Sequence, residues 1–202
     1  MRLALLTGLY VAIVCTAQVT ANKIVELPLI GRDVPAGTYL IGVALATIEL
    51  GHLTAPTRRE GWLNAQAMIA SGFVGSALLA GYIQLVVHAE PAFPQPAFDE
   101  ALGSTWRIVA GSLAAFAISE TVDNGLGTWL RGRAPDWARV LGTNVVSVPL
   151  DSLVFIAIAF GLGSLGFVPG QIAAKMLSTV LIGLPLVYLL RGRLAAGPGA
   201  LR

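Results

Sequence analysis

Long apolar runs alternate with short polar connections along this chain, and the runs are of similar length. Residues 3–21, 35–53, 63–87, 106–129, 140–165 and 170–190 are dominated by Leu, Ile, Val, Ala, Gly and Phe. A helix crossing the ~30 Å hydrocarbon core of a bilayer takes about 20 such residues. A membrane barrel would instead show segments of roughly ten alternating residues, and none are present. The pattern therefore predicts an all-α, polytopic membrane protein, with six transmembrane helices forming one domain over residues 1–202. Pro149 and Pro185 fall inside predicted spans, which membrane helices tolerate where neighbours satisfy the freed carbonyl.

Basic residues orient the spans, because cytoplasmic connections are enriched in Lys and Arg. With the N-terminus inside, the cytoplasmic segments hold Arg2, Arg58, Arg59, Arg131, Arg133, Arg139, Arg191, Arg193 and Arg202. The outer loops then hold only Lys23 and Arg32, and the segment from Ala89 to Gly103 carries acids and prolines but no base. Both termini are expected in the cytoplasm. Met1-Arg2, an apolar run and Val19-Thr20-Ala21 also fit a cleaved signal peptide. A retained helix is preferred, since the run is long for a signal and carries a polar stripe.

Composition narrows the class further. The chain is 55% hydrophobic and 12% charged, about half the charge of a soluble domain, and its mean hydropathy is +0.76. A soluble enzyme and a disordered chain are both excluded. A net charge of +2 distributed by loop forms no nucleic-acid-binding face. The single cysteine, Cys15, supports neither a disulfide framework nor a thiolate metal site. No metalloprotease, phosphate-loop or serine-elbow motif occurs, so no catalytic residues, cofactor or metal are expected.

Ionisable residues within spans are costly in lipid and mark function by default. Four acids (Glu49, Glu120, Asp123 and Asp151) and two bases (Arg107 and Lys175) lie inside or at the ends of the runs. Fully ionised, they leave the interior at −2, so a bound proton or a cationic ligand is needed for balance. Residues three, four and seven apart share a helix face. Asn144, Ser147, Asp151 and Phe155 form one such stripe; Ser112, Ser119 and Asp123, with Glu120 beside them, form another. Gln171, Lys175 and Ser178 line up on the last span, and Gln18 and Asn22 on the first. Several helices thus turn polar faces toward one cavity. Serines on membrane helices are ordinarily packing groups, and Lys175 can neutralise Asp151 as readily as bind solute. Glu49, one turn from His52, is expected to snorkel at the cytoplasmic interface.

The order of these features resembles the queuosine-precursor transporters, the vitamin-uptake-like family of six-helix membrane proteins. The resemblance is carried by Arg107-Ile-Val-Ala-Gly-Ser112, Ser119-Glu120-Thr-Val-Asp123, Asn144-Val-Val-Ser147 with Asp151-Ser152, and Phe155-Ile-Ala-Ile-Ala-Phe160. Lys175, Asn22 and the basic pair Arg58-Arg59 also match. The second helix departs from the family pattern, reading Thr47-Ile-Glu49-Leu-Gly-His52. The resemblance implies a multi-pass inner-membrane transporter, not an enzyme, for a 7-deazaguanine such as preQ0 or preQ1, salvaged for tRNA queuosine. Its substrate-binding residues would be Asn22, Glu120, Asp123, Asn144, Asp151 and Lys175, with Phe116 and Phe155 as stacking candidates and Glu49 and Arg107 as gating or coupling candidates. The expected partners are this solute, the bilayer and a second copy of the chain. The alternative is the substrate-binding component of an energy-coupling-factor importer, docking an ATPase module through Ala4, Gly8 and Ala12.

The orientation is tested with Gln95→Cys and Pro135→Cys, each in a Cys15→Ser background. An impermeant thiol reagent outside the cell should label position 95 and not 135; the opposite pattern rejects the charge-based topology.

Overall fold

Leu6, Tyr10, Val14 and Ala17, spaced four, four and three residues apart, form the buried face of the first helix, α1 (Arg2–Thr20). Its outer face is just as apolar, with Leu5, Leu9 and Val19 exposed. A helix apolar all round lies between a protein core and lipid.

The computed structural model describes residues 2–27, 31–53, 55–103 and 105–195. After α1 come the strands β1 (Ile24–Leu27) and β2 (Arg32–Pro35), then α2 (Thr38–Leu53), α3 (Arg58–Val87) and α4 (Pro96–Leu102). Next are α5 (Thr105–Leu130), α6 (Asp136–Ala159), a 3-10 stretch (Leu162–Phe167), α7 (Val168–Ser178), a π-helical stretch (Thr179–Gly183) and α8 (Leu184–Ala195). Among the described residues, five helical stretches are long and apolar enough to cross a membrane: those of α1, α3, α5, α6 and the run from Leu162 to Leu189. The chain is a helical membrane protein. Arg202, counted above toward the cytoplasmic charge, lies outside the described residues.

The run predicted at 35–53 contains α2, only 16 residues long. At 1.5 Å per residue this is about 24 Å, short of a full crossing. Its position explains the length. Ala44, Leu45, Ala46, Ile48 and Leu50 are all at most 1% exposed, and α2 packs on α1, α3, α7 and α8. A helix surrounded by other helices answers to them and not to the thickness of the lipid.

Several predicted boundaries are corrected. Helix α3 begins at Arg58 rather than 63, because Thr57 caps it by accepting the Glu60 N–H at 3.2 Å; Thr57-x-x-Glu60 is a capping-box pattern. Helix α6 stops at Ala159, not 165, where Gly161 takes φ +87° and a 3-10 stretch follows. The last span is broken by a π turn just before Pro185, which cannot donate to the preceding turn. The loop after α1, in a chain expected to be all-α, holds an antiparallel hairpin pairing Ile24 with Pro35 and Leu27 with Arg32. Leu27 and Val34 are buried against Ala174, fixing the hairpin over the start of α7.

Close helix contacts depend on small residues. A Cβ on Gly42 would collide with the Ser178 hydroxyl and the Lys175 carbonyl, so α2 meets α7 almost backbone to backbone. A Cβ on Gly111 of α5 would similarly lie 3.1 Å from the Ala159 amide nitrogen on α6. Gly42→Ala should destabilise the purified protein by about 1–3 kcal/mol, the usual cost of overpacking. Gly81→Ala, with nothing within 4 Å, should leave the melting temperature unchanged or slightly raised. Thermal unfolding of both variants in detergent checks the difference.

Candidate functional site

Arg139, Thr143, Ser147, Asp151 and Phe155 recur every four residues along α6, and all are buried. Ser112, Phe116, Ser119, Asp123 and Gly127 make the corresponding stripe on α5. The two stripes face each other and exchange hydrogen bonds. Ser147 on α6 donates to Oδ1 of Asp123 on α5 at 2.9 Å. Ser119 on α5 shares its hydroxyl hydrogen between the Ala115 carbonyl at 2.7 Å and Oδ1 of Asp151 on α6 at 3.1 Å.

Lys175 on α7 completes the centre. Its ammonium forms an ion pair with Oδ2 of Asp151 and donates to Ser152 Oγ and Gln171 Oε1, each at 3.1 Å. All three ammonium hydrogens are thereby used. Next to this pair is a narrow cavity of about 20 Å³, room for little more than one water. Phe116 and Phe155 give it aromatic walls; Asp151, Lys175, Gln171 and Gln18 give it polar ones. Phe155 is held edge-on to Phe160, with ring centres 5.8 Å apart.

Asp151, Lys175, Phe116 and Phe155 therefore lie together around the cavity. Glu120 and Asp123 lie beside this group, fully buried but outside the cavity wall. The Tyr10 hydroxyl approaches Glu120, yet neither carboxyl oxygen completes a hydrogen bond. Asn144 is buried elsewhere: its amide donates to Thr179 at 3.0 Å, at the π turn. Asn22 bonds Thr105 and does not line the cavity. Gln18, one turn earlier, does line it, and its Oε1 has no partner while its amide donates to Ser76 at 2.8 Å. Both residues were visible on the first helix, and only depth distinguishes them.

Two expectations about charge are corrected. Glu49 does not snorkel; it is 1% exposed and forms an ion pair with Arg139. Arg139, counted as a loop base, lies one turn inside α6 and is 2% exposed. Arg107 conversely is exposed on α5 and takes no part in the buried cluster. The buried balance among the described residues stays at −2: four acids (Glu49, Glu120, Asp123 and Asp151) against Arg139 and Lys175. Two acids are paired with bases, and Glu120 and Asp123 are not. A rule that tracked the four-residue period back from Asp151 would have found Arg139.

A helical membrane bundle enclosing a small cavity with aromatic walls and a buried ion pair has the build of a carrier for a small polar solute. Residues 55–190 match the family described as putative vitamin uptake transporter, and the chain belongs to that family. It is a family of transporters and not of enzymes. The chain is 31% identical to the "Probable queuosine precursor transporter" of Bacillus subtilis (strain 168), over 87% of its own length and 76% of the relative's. No solved structure matches.

The Lys175–Asp151 pair makes a stability prediction. Removing one partner of a buried pair leaves an uncompensated charge and costs about 3–5 kcal/mol. Lys175→Met should therefore lower the melting temperature sharply, and Lys175→Met with Asp151→Leu should recover most of the loss. A thermal double-mutant cycle reads the coupling.

Proposed function

We propose that this protein carries a queuosine precursor, a 7-deazaguanine such as preQ0 or preQ1, inward across the cell inner membrane for tRNA queuosine salvage. The proposal takes α2 as the sixth span, with both termini cytoplasmic. The observation that carries it is the cavity between Phe116, Phe155 and Asp151, in a chain 31% identical to a relative named for that solute. A guanine-like edge presents two adjacent N–H donors to one carboxylate. Asp151 accepts from Ser119 and Lys175, and a carboxylate has about four acceptor sites, so two remain for such an edge. The rings flanking the site offer apolar faces to a planar heterocycle. The cavity is constricted in this state, so its walls part to admit a bicyclic solute.

Glu120 and Asp123, the buried acids without a base, are the groups proposed to hold a proton during the cycle. The cation could equally be the amine of preQ1. Uptake of uncharged preQ0 that does not vary with pH would remove the proton from the mechanism.

The energy-coupling-factor reading keeps one supporting observation: Ala4, Gly8 and Ala12 are all exposed on one face of α1, where a partner helix could approach closely. Uptake by this chain alone, in a host lacking both such ATPase modules and its own precursor salvage, favours the carrier. Uptake only on co-expression of the ATPase module overturns it.

Binding to purified protein tests the site. Asp151→Asn keeps the shape but replaces an acceptor with a donor facing the solute's donors. Isothermal titration with preQ0 and preQ1 should show affinity at least about tenfold weaker, equivalent to 1.4 kcal/mol. Unchanged affinity in Asp151→Asn, Glu120→Gln and Asp123→Asn alike takes the acids out of the binding site.

A further inference from the structure

Buried polar atoms that complete no hydrogen bond are rare in native proteins, and each calls for a water or a ligand in some state. Among the described residues Gln18 Oε1 and Gln84 Nε2 stand apart, and most of the others gather in one region. Oε1 of Glu49 and Nε of Arg139 complete no hydrogen bond, and around them Glu120, Asp123, Asn124 and His52 are buried with imperfectly formed bonds to Tyr10, Thr143 and one another. They lie at one end of the bundle. On α5, Glu120, Asn124 and Gly127 follow at intervals of four and three; on α2, Glu49 and His52 are three apart. The levels join across the helices. A Cβ on Gly127 would lie 2.6 Å from Glu49 Oε1 and 3.3 Å from His52 Nε2, and Ser147 links α6 to Asp123 just above.

We infer that this column is the second half of the solute's path, and that the Glu49–Arg139 ion pair is the gate that closes it in this state. The inference rests on the reading of the chain as a carrier, and not on which solute it carries. Arg139 is twelve residues from Asp151 on the same helix, about 18 Å along its axis. The gate thus lies roughly half a bilayer from the cavity, at the end bearing Arg58, Arg59, Arg131 and Arg133. Arg131 braces it: its guanidinium donates to the backbone carbonyls of Ala55 at 2.6 Å and Thr57 at 2.8 Å, clamping the end of α5 to the chain between α2 and α3. At the hairpin end of the cavity the walls are Ala17, Ala21, Pro35 and Gly37, and no ion pair among the described residues crosses there. One end is bolted by charge and the other only packed.

A second partner for the bolt is already in place. Nη1 of Arg139 is 3.9 Å from Oδ1 of Asp136, one turn nearer the end of α6, whose side chain is 16% exposed. Opening the gate moves Arg139 from Glu49 to Asp136 without leaving its charge unpaired. It frees Glu49, His52 and Asn124 to face the path.

The test labels a cysteine inside the column. Thr143 is 1% exposed and lies one turn from Arg139 on the gate's inner side. Thr143→Cys is made in a Cys15→Ser background and exposed to an impermeant thiol reagent in inside-out membrane vesicles, with no solute present. Labelling should be slow with the gate intact and at least about tenfold faster in Glu49→Gln, which removes the charge and keeps the shape. Arg139→Lys, which loses the planar fork, should act in the same direction and serves if Glu49→Gln does not accumulate. Val146→Cys, on the outer face of α6 and 48% exposed, is the control. Acceleration at 143 with no change at 146 supports the gate; acceleration at neither, or at both, overturns it. Failure of preQ0 and preQ1 to bind the wild-type protein would sink the solute assignment and leave the labelling result standing.

Discussion

Lys175 must satisfy three ammonium hydrogens in the middle of a membrane bundle, and the arrangement of the central helices follows from how it does so. Two of its acceptors, Asp151 and Ser152, are on α6, and the third, Gln171, is one turn back on α7. Bonding to two helices at once fixes the rotation of α7 against α6. Asp151 is in turn held by Ser119, and Asp123 by Ser147, so α5 and α6 are registered by a carboxylate and a hydroxyl from each. The carbonyl of Lys175 then sets α2. It lies where a side chain at position 42 would go, and it shares the Thr179 hydroxyl with the Gly42 carbonyl. Four helices are located through one side chain and its own backbone.

The same centre explains why the last span is not a plain helix. Thr179 receives the Asn144 amide and returns its own hydrogen to α2 and α7, at the first residue of the π stretch. A π turn widens the helix by one residue and leaves backbone groups free to bond sideways. Pro185 follows, where a normal turn would want an amide. Asn144 thus shapes the site without touching the cavity.

How much of this was legible in the sequence depended on what each signal measures. Period and spacing report faces: Ser112, Ser119 and Asp123 do share a stripe, as do Ser147, Asp151 and Phe155, while Asn144, expected on that stripe, turns to Thr179. Distance from the end of an apolar run was used to report depth, and there the reading failed. Glu49 and Arg139 both sit near run ends, yet they are buried because α2 is short and central and α6 begins four residues earlier than its apolar run. Hydropathy cannot distinguish a helix facing lipid from one facing other helices, since both are apolar. Hence α2 looked like an ordinary span, and Arg139 like an ordinary loop base. Strands of four residues offer too little alternation to be seen, so the hairpin was invisible, although Thr57-x-x-Glu60 was a cap in plain view.

The two buried ion pairs show what separates a structural charge from a moving one. Removing two charges from water costs several kcal/mol per ion, and their attraction offsets this only when the remaining donors and acceptors are also satisfied. Lys175–Asp151 meets that condition: the ammonium has three partners, and the second carboxyl oxygen has Ser119. Glu49–Arg139 does not. Its second carboxyl oxygen and its guanidinium Nε are both buried without a hydrogen-bond partner. The first pair lies deep in its well, and any motion that broke it would strand four groups at once. The second is less completely satisfied, and Arg139 is also within 3.9 Å of Asp136. Under the gate proposed above, the first pair is the fixed charge beside the cavity and the second is the one that exchanges partners when the path opens.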